Sequence, residues 1–213
     1  MKAIFRFLAF GFVASLSAGS LHALELTPRY GFRDLEGVKI PVIYFDDGER
    51  RVQWQPPANW KISGGESSLL LTVPEQTNTG MELRIIPRKA AEAPDGKVDP
   101  QAASEWIKPF LPAVAQKQAF VQEIPSPFLL EGLSSRELTF TYTYLARDFT
   151  TSIALVNLDT EHSLAVIIYA PIKEFDRVHE EGTKSMFRWI ILKSGPQQKQ
   201  ADKAAPGNSA VEK

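Results

Sequence analysis

Near its C-terminal end the chain carries a group of side chains that could bind a metal ion. Asp176, His179 and Glu180 fall within one short segment, and carboxylate and imidazole groups are ligands for divalent cations such as Zn²⁺ and Mn²⁺. In a helix, Asp176 would share a face with both of the others. Glu180 also has Lys184 four residues later, a spacing typical of a solvated helix surface. We therefore expect no metal site, and keep these three residues as the candidates if one exists.

The familiar short patterns of catalytic sites are missing from the sequence. The segment Gly132-Leu133-Ser134-Ser135 does not match the Gly-x-Ser-x-Gly turn of α/β-hydrolases. Glycine-rich phosphate loops, His-Glu-x-x-His and EF-hand spacings are also absent. His162, beside Asp159 and Glu161, fits an exposed polar turn better than a metal site. We expect no catalytic residue, no cofactor and no enzymatic activity, although two carboxylates brought together by folding alone would escape this reasoning.

A row of threonines is the most unusual surface that the sequence predicts. Thr139, Thr141 and Thr143 alternate with large apolar residues between Leu138 and Tyr144. Successive side chains of a strand point to opposite faces, so the threonines share one face and the aromatic residues the other. The threonine face either lies beneath the other helix, the one predicted to begin at Pro100, or faces water, where a partner could dock. The sequence leaves both possibilities open.

The elements that follow this strand predict a meander covered by a helix. Phe149–Leu158 and Ser163–Tyr169 have the alternation and β-branched content of strands. Pro171 ends the third strand, because proline lacks the N–H that a sheet needs. Apolar residues then recur at helical spacing from Phe175 to Ile190. We expect this helix to lie over the aromatic side of the ribbon.

The first half of the chain predicts short strands and one helix. Val38–Phe45 and Arg51–Gln55 flank the turn residues Asp46-Asp47-Gly48, a hairpin pattern. The preceding segment, Leu24–Gly37, is interpreted as an arm or edge segment, and Gly64-Gly65 as a loop. Pro100 begins a helix that Asp99 caps and that Pro109 shortens. Further strands are predicted at Ser68–Val73, Met81–Ile86 and Phe120–Ile124.

The N-terminal 23 residues have the features of a secretory signal peptide. Lys2 and Arg6 precede an apolar run, Phe7–Leu16, that is too short for a permanent membrane anchor. We expect cleavage after Ala23, with Gly19 as the competing site; loss of two cations takes the formal net charge from −1 to −3. The protein is then periplasmic or secreted. Nucleic acid, which requires a basic excess, is not an expected partner, and no later segment is long enough to span a membrane.

The remaining residues predict a single domain followed by a tail. Residues 24–192 provide roughly 170 residues, which is enough for one hydrophobic core, and their pattern predicts an α+β fold. The chain contains no cysteine, so this core must hold without disulfides. Residues 193–213 are polar and include two prolines and two glycines, a composition typical of a disordered tail.

The order of these elements resembles the PsbP-like family, which is named for an extrinsic photosystem protein and includes exported bacterial proteins. The resemblance rests on the turn with Pro56, Pro57 and Trp60, on the central helix and aromatic meander, and on Tyr169-Ala170-Pro171 before Phe175. It implies an antiparallel sheet flanked by helices in an α/β/α sandwich. It also implies a binding or accessory role, and it transfers no catalytic residue.

The sequence therefore favours an exported, non-enzymatic binding or accessory protein that acts on a protein or a cell-envelope component. The alternative is a carrier of a small molecule or lipid, with an apolar pocket between sheet and helix. A third interpretation is a hydrolase whose site the sequence does not reveal.

Overall fold

The computed structural model describes residues 24–46, 50–76, 78–88, 99–125 and 135–193. Within these ranges, two antiparallel sheets and two α-helices form a sheet-rich α+β fold, as the sequence predicts. The large sheet has the order β4-β5-β6-β10-β9-β8-β7, with β4 at Lys61–Gly65, β5 at Ser68–Thr72, β6 at Gly80–Pro87, β7 at Gln116–Pro125, β8 at Ser135–Tyr144, β9 at Arg147–Asn157 and β10 at His162–Pro171. The small sheet has the order β1-β2-β3-β11, with β1 at Glu25–Leu35, β2 at Val38–Asp46, β3 at Arg50–Trp54 and β11 at Ile190–Lys193.

Three of the sequence-based expectations fall on other parts of the chain. The signal peptide, the turn residues Asp47 and Gly48, and the tail beyond Lys193 lie outside the described residues. In the part that the structure describes, no helix has the length and apolar character needed to cross a membrane.

The meander of β8, β9 and β10 forms as its alternation predicts. Phe140 lies opposite Thr151 on β9, and Val166 on β10 lies opposite Ala154 on β9, so all three strands pair in antiparallel register. The side chains of β9 and β10 are buried on both faces over most of their length. These two strands are therefore the centre of the large sheet, with apolar layers above and below.

The first helix, α1 (Pro100–Trp106), follows the predicted capping pattern. The carboxylate of Asp99 accepts hydrogen bonds from the backbone amides of Gln101 and Ala102, at 3.3 and 3.2 Å. The helix ends early, and Lys108–Phe110 continues as a single 3-10 turn. Pro109 explains this ending, because it cannot donate the hydrogen bond that a continuing helix needs.

The second helix, α2 (Ile172–Met186), is shorter than its apolar spacing predicts. Trp189 and Ile190 fit the helical period, but the helix ends at Met186 and Ile190 begins β11, opposite Gln53 of β3. The expectation of a helix reaching Ile190 is therefore wrong. A strand pairing between residues more than a hundred positions apart overrides the local pattern.

The face of the large sheet that α2 covers also differs from the expectation. Gly182 approaches the sheet so closely that a Cβ there would lie 2.9 Å from Cδ1 of Ile168. His179, on the same helix, contacts Glu137 at the start of β8. Glu137 shares its side of β8 with the threonines, since both occupy alternate positions. The helix therefore covers the threonine side, and the expectation that it lies over the aromatic side is wrong.

Because α2 packs on the threonine side, the threonine row is partly covered. Thr139 is buried, while Thr141 and Thr143 are half-buried. The aromatic side is covered by α1 instead: the rings of Trp106 and Phe140 are 6.3 Å apart. Helices cover only part of each face of the large sheet. On the aromatic side, α1 is only seven residues long. On the threonine side, the small sheet supplies much of the layer beside α2. The core on that side includes Phe45, Val52, Trp54, Leu71, Leu83, Val166 and Val178.

Candidate functional site

The hairpin of β1 and β2 exposes large apolar side chains to solvent. Tyr30 is 72% exposed and Phe32 is 65% exposed, and they share one face of the hairpin because they are two residues apart. Val38 is 63% exposed but pairs with Leu35 on the opposite face. Single exposed apolar residues are ordinary, whereas two large adjacent rings on one face are a candidate surface for interaction. The segment was predicted as an arm or edge, and it is indeed the edge strand of the small sheet. Its apolar surface was not predicted.

A groove adjoins this hairpin on the side of Tyr30. Its volume is about 340 Å³. The walls combine the hairpin with the Pro-Pro-x-x-Trp turn: Tyr30, Pro41, Ile43, Pro56, Pro57, Trp60, Ile62 and Arg188. We call this cavity the hairpin groove. Phe32 extends the same surface, since it lies two residues after Tyr30 and side chains of a strand alternate.

The turn that forms one wall is fixed to the rest of the fold. The backbone of Asn59 has a positive φ of 66°, a conformation that asparagine tolerates better than most residues. The indole Nε1 of Trp60 donates a hydrogen bond to the carboxylate of Glu181 on α2, at 3.2 Å. The 7% exposure of Trp60 shows that its ring belongs to the core. The wall is therefore held in place before any partner binds.

Three charges of the small sheet are paired outside the lining of the groove. Arg29 and Arg51 both contact the carboxylate of Asp46, at 2.7 and 3.0 Å. Arg188, in contrast, is exposed, and its guanidinium contacts no carboxylate among the residues that the structure describes. A cation beside an apolar groove favours a ligand that combines apolar side chains with a carboxylate.

The three candidate metal ligands do not form a site. Glu180 pairs with Lys184 at 2.6 Å, Asp176 is exposed, and His179 turns toward the sheet. The described residues contain no group of three or more metal-ligating side chains. His179 and Glu180 share a helix but point to different neighbours, as expected for adjacent residues.

His179 instead bonds a carboxylate that the sequence analysis did not consider. Its Nε2 lies 2.5 Å from Oε1 of Glu137, and its ring stacks on Phe175 at 5.2 Å. Glu137 is only 2% exposed, and its second oxygen, Oε2, has no hydrogen-bond partner in the part of the chain that the structure describes. The pair joins α2 to β8 across 42 positions of sequence. No local pattern could have revealed it.

His162 behaves as the sequence analysis expects of a polar turn. Its Nδ1 lies 3.3 Å from Asp159, whose carboxylate also accepts hydrogen bonds from the amides of Glu161 and His162. Burial on its own would raise the pKa of Asp159, but these hydrogen bonds hold it below its usual value. The group stabilises the turn between β9 and β10.

Comparison with known proteins finds only distant likenesses. No family model matches the chain, and no curated protein matches it in sequence. Among solved structures, LpqN, involved in cell envelope biogenesis of Mycobacterium tuberculosis, is 17% identical with a TM-score of 0.43, over 68% of this chain and 86% of that chain. The Saccharomyces cerevisiae Ran-binding protein Mog1p is 13% identical with a TM-score of 0.39, over 78% and 96%. PA94 of Pseudomonas aeruginosa, a protein of unknown function, is 12% identical with a TM-score of 0.33, over 85% and 99%. At such values the likenesses assign neither a family nor a function.

Proposed function

We propose that the chain is an exported, non-enzymatic accessory protein of PsbP-like α/β/α architecture that binds a protein partner of the cell envelope through the hairpin groove. The observation that carries this proposal is the exposure of Tyr30 and Phe32, at 72% and 65%, on the edge strand of the small sheet. The apolar N-terminal run, Phe7–Leu16, supports export.

The partner would bind by adding a strand to the small sheet. Between Arg29 and Leu35, β1 pairs with β2 on one side, and no strand of the described ranges pairs with it on the other. An open edge of this kind is a template for pairing with another chain. In strand addition, main-chain hydrogen bonds supply affinity and alternate side chains supply specificity. An extended segment with alternating apolar residues fits this edge.

The apolar surface is large enough to contribute to binding. A tyrosine or phenylalanine buries about 150–250 Å² when fully covered, so covering most of the exposed area of Tyr30 and Phe32 removes on the order of 200 Å² from water. At about 25 cal/mol per Å² this is about 5 kcal/mol, of which only a part appears as affinity after the costs of association. Arg188 would add specificity for a carboxylate near the groove.

The test is comparative recovery of a partner from the envelope of the host. The full chain carrying Tyr30→Ser and Phe32→Ser is compared with a control carrying Val114→Ser and Val121→Ser. The control residues are also exposed apolar side chains, at 60% and 53%, and Val121 lies on β7, the edge strand of the large sheet. Proteins recovered with each are quantified by mass spectrometry.

We expect the partner to be lost from the Tyr30→Ser, Phe32→Ser variant and retained by the control. Thermal unfolding of both variants should be close to that of the parent chain, since all four side chains are exposed. A partner retained equally by both variants would refute the hairpin groove as its site. Recovery of only a second copy of this chain would refute an envelope partner.

A further inference from the structure

A second cavity lies on the opposite side of the large sheet from α2, just beyond the 3-10 turn. Its volume is about 270 Å³, which is near the lower end for ligand pockets. Its walls come from β6, β8, β9 and β10 and from the segment after α1. The residues that determine its chemistry are Glu82, Arg84, Phe110, Tyr142, Tyr144 and Tyr169. We call it the tyrosine pocket.

The rings around this pocket are held at fixed orientations. Tyr142 stacks on Phe149, with centroids 5.4 Å apart and planes 19° from parallel. Tyr144 meets the same ring edge-on at 6.0 Å. Tyr169 and Phe110 complete the aromatic part of the lining. A pocket of this size with several aromatic walls suits a flat ring, because aromatic pairs prefer stacked or edge-to-face contact.

The charges of the pocket cancel. Among the residues that the structure describes, Glu82 and Arg84 are the only charged ones in its lining. They form a two-point pair, with Nε and Nη2 of Arg84 donating to the two carboxylate oxygens at 2.8 and 2.9 Å. Arg84 also donates to the carbonyl of Pro109 at 3.1 Å. No uncompensated charge remains to offset the desolvation of a charged ligand, so a neutral ligand fits best.

The hydrogen-bonding groups left over include the hydroxyls of Tyr142 and Tyr169, each of which can donate as well as accept. Glu82 already accepts from Arg84 and, at 2.8 Å, from the hydroxyl of Ser68, and Thr151 donates to the carbonyl of Ile168. The hydroxyls of Tyr142 and Tyr169 bond to no residue that the structure describes. A ligand seated between them would complete their bonding by offering an acceptor.

Both phenols hold their protons, as this role requires. Burial, followed by the neighbouring Tyr169 and Tyr144, raises the pKa of Tyr142 above its usual range. Burial, followed by the carboxylate of Glu82, raises the pKa of Tyr169 to about 12. At neutral pH the two hydroxyls are therefore available as donors.

We propose that the tyrosine pocket binds a small, uncharged aromatic compound carrying a carbonyl acceptor, the chemical class of aryl ketones. Its ring would lie among the aromatic walls, and its carbonyl would accept hydrogen bonds from Tyr142 and Tyr169. This site is on the large sheet and does not depend on the hairpin groove. The carrier interpretation of the sequence places an apolar pocket between sheet and helix without specifying which helix.

The test uses three probes of nearly equal size: acetophenone, ethylbenzene and benzoate. Binding to the full chain is followed by chemical-shift changes in the protein's NMR spectrum, which also report where each probe sits. Ethylbenzene keeps the ring and loses the acceptor, and benzoate keeps the acceptors and adds a charge. We expect acetophenone to bind in the tyrosine pocket and more tightly than either of the others.

Removal of single hydroxyls separates hydrogen bonding from ring contact. Tyr142→Phe and Tyr169→Phe should each weaken acetophenone binding about 2- to 12-fold, the effect of one hydrogen bond, and leave ethylbenzene binding unchanged. Tyr44→Phe, at a half-buried tyrosine of β2 that lines neither cavity, is the matched control and should change neither. No binding of acetophenone, equal binding of ethylbenzene, tighter binding of benzoate, or insensitivity to both Phe substitutions would each overturn the proposal. None of these outcomes bears on the hairpin groove.

Discussion

Substitution of His179 by alanine should destabilise the protein far more than the exposure of His179 suggests. The imidazole is 24% exposed, but the carboxylate that it bonds, on Glu137, is only 2% exposed. Without His179, Oε1 of Glu137 loses its partner, and Oε2 already has none among the described residues. The bond at 2.5 Å forms whichever of the two groups holds the proton. The variant therefore leaves a buried carboxyl group with no hydrogen bond.

The magnitude follows from these contacts. Removing one partner of a buried pair costs about 3–5 kcal/mol, but water can enter the space left by a ring that is partly exposed, which lowers this cost. Loss of the stacking of His179 on Phe175 adds about 0.5–1.5 kcal/mol. We expect a loss of about 2–4 kcal/mol in the free energy of unfolding. For a domain of this size each kcal/mol shifts Tm by about 2–4 °C, so the midpoint should fall by about 5–15 °C.

Urea unfolding with a matched histidine and a double variant tests this reasoning. His162 is 29% exposed and pairs with Asp159, which is 25% exposed, so His162→Ala should cost no more than about 1 kcal/mol. The double variant Glu137→Leu, His179→Leu should recover most of the loss, because it buries no unpaired polar group. Equal effects of His179→Ala and His162→Ala, or a double variant less stable than His179→Ala, would refute the buried pair as the cause.

Three further predictions concern the fold. Asp99→Ala removes the cap of α1 and should lower the free energy of unfolding, measured by thermal unfolding, by about 1 kcal/mol. The control Gln101→Ala should cost almost nothing, and equal effects of the two substitutions would contradict the capping role of Asp99. Gly80→Ala places a Cβ 2.0 Å from the carbonyl oxygen of Leu71. The free energy of unfolding, measured in urea, should therefore fall by more than about 2 kcal/mol. An unchanged free energy of unfolding would contradict that close approach. Burial raises the pKa of Tyr169 from its usual 10.0 to about 12. This raised pKa contributes stability that is present below pH 10 and is lost as pH rises toward 12. Compared with Tyr169→Phe, the parent chain should therefore lose more stability between pH 9 and 12 in urea unfolding, and parallel curves would contradict this.

Local patterns were sufficient for elements whose neighbours in space are also neighbours in sequence. The alternation from Leu138 to Tyr144 gives both the strand and its two faces, and Asp99 with Pro100 gives the start of α1. Local patterns could not predict which face of the large sheet α2 covers. Ile153 and Ala154 occupy adjacent positions of β9 and are both buried. Both faces of the central strands are therefore apolar, and either face could pack against a helix.

The exposed apolar surface of the candidate site was harder to predict, because it depends on where the layers that could cover the hairpin end. Tyr30 and Phe32 alternate with polar residues just as the residues of a half-buried strand do. They are exposed because the packed layers end before this part of the hairpin. The sequence of residues 24–37 cannot predict this, because it depends on where other elements of the chain end. Trp60, in contrast, was recognisable as part of a turn, but its bond to Glu181 joins positions 121 residues apart.

The most direct test of strand addition is amide hydrogen exchange on the protein with and without its recovered partner. Binding at the hairpin groove should slow exchange of the β1 amides between Arg29 and Leu35, and leave β7, the edge of the large sheet, unchanged. Unchanged exchange in β1 with protection appearing along β7 would contradict the proposed binding mode.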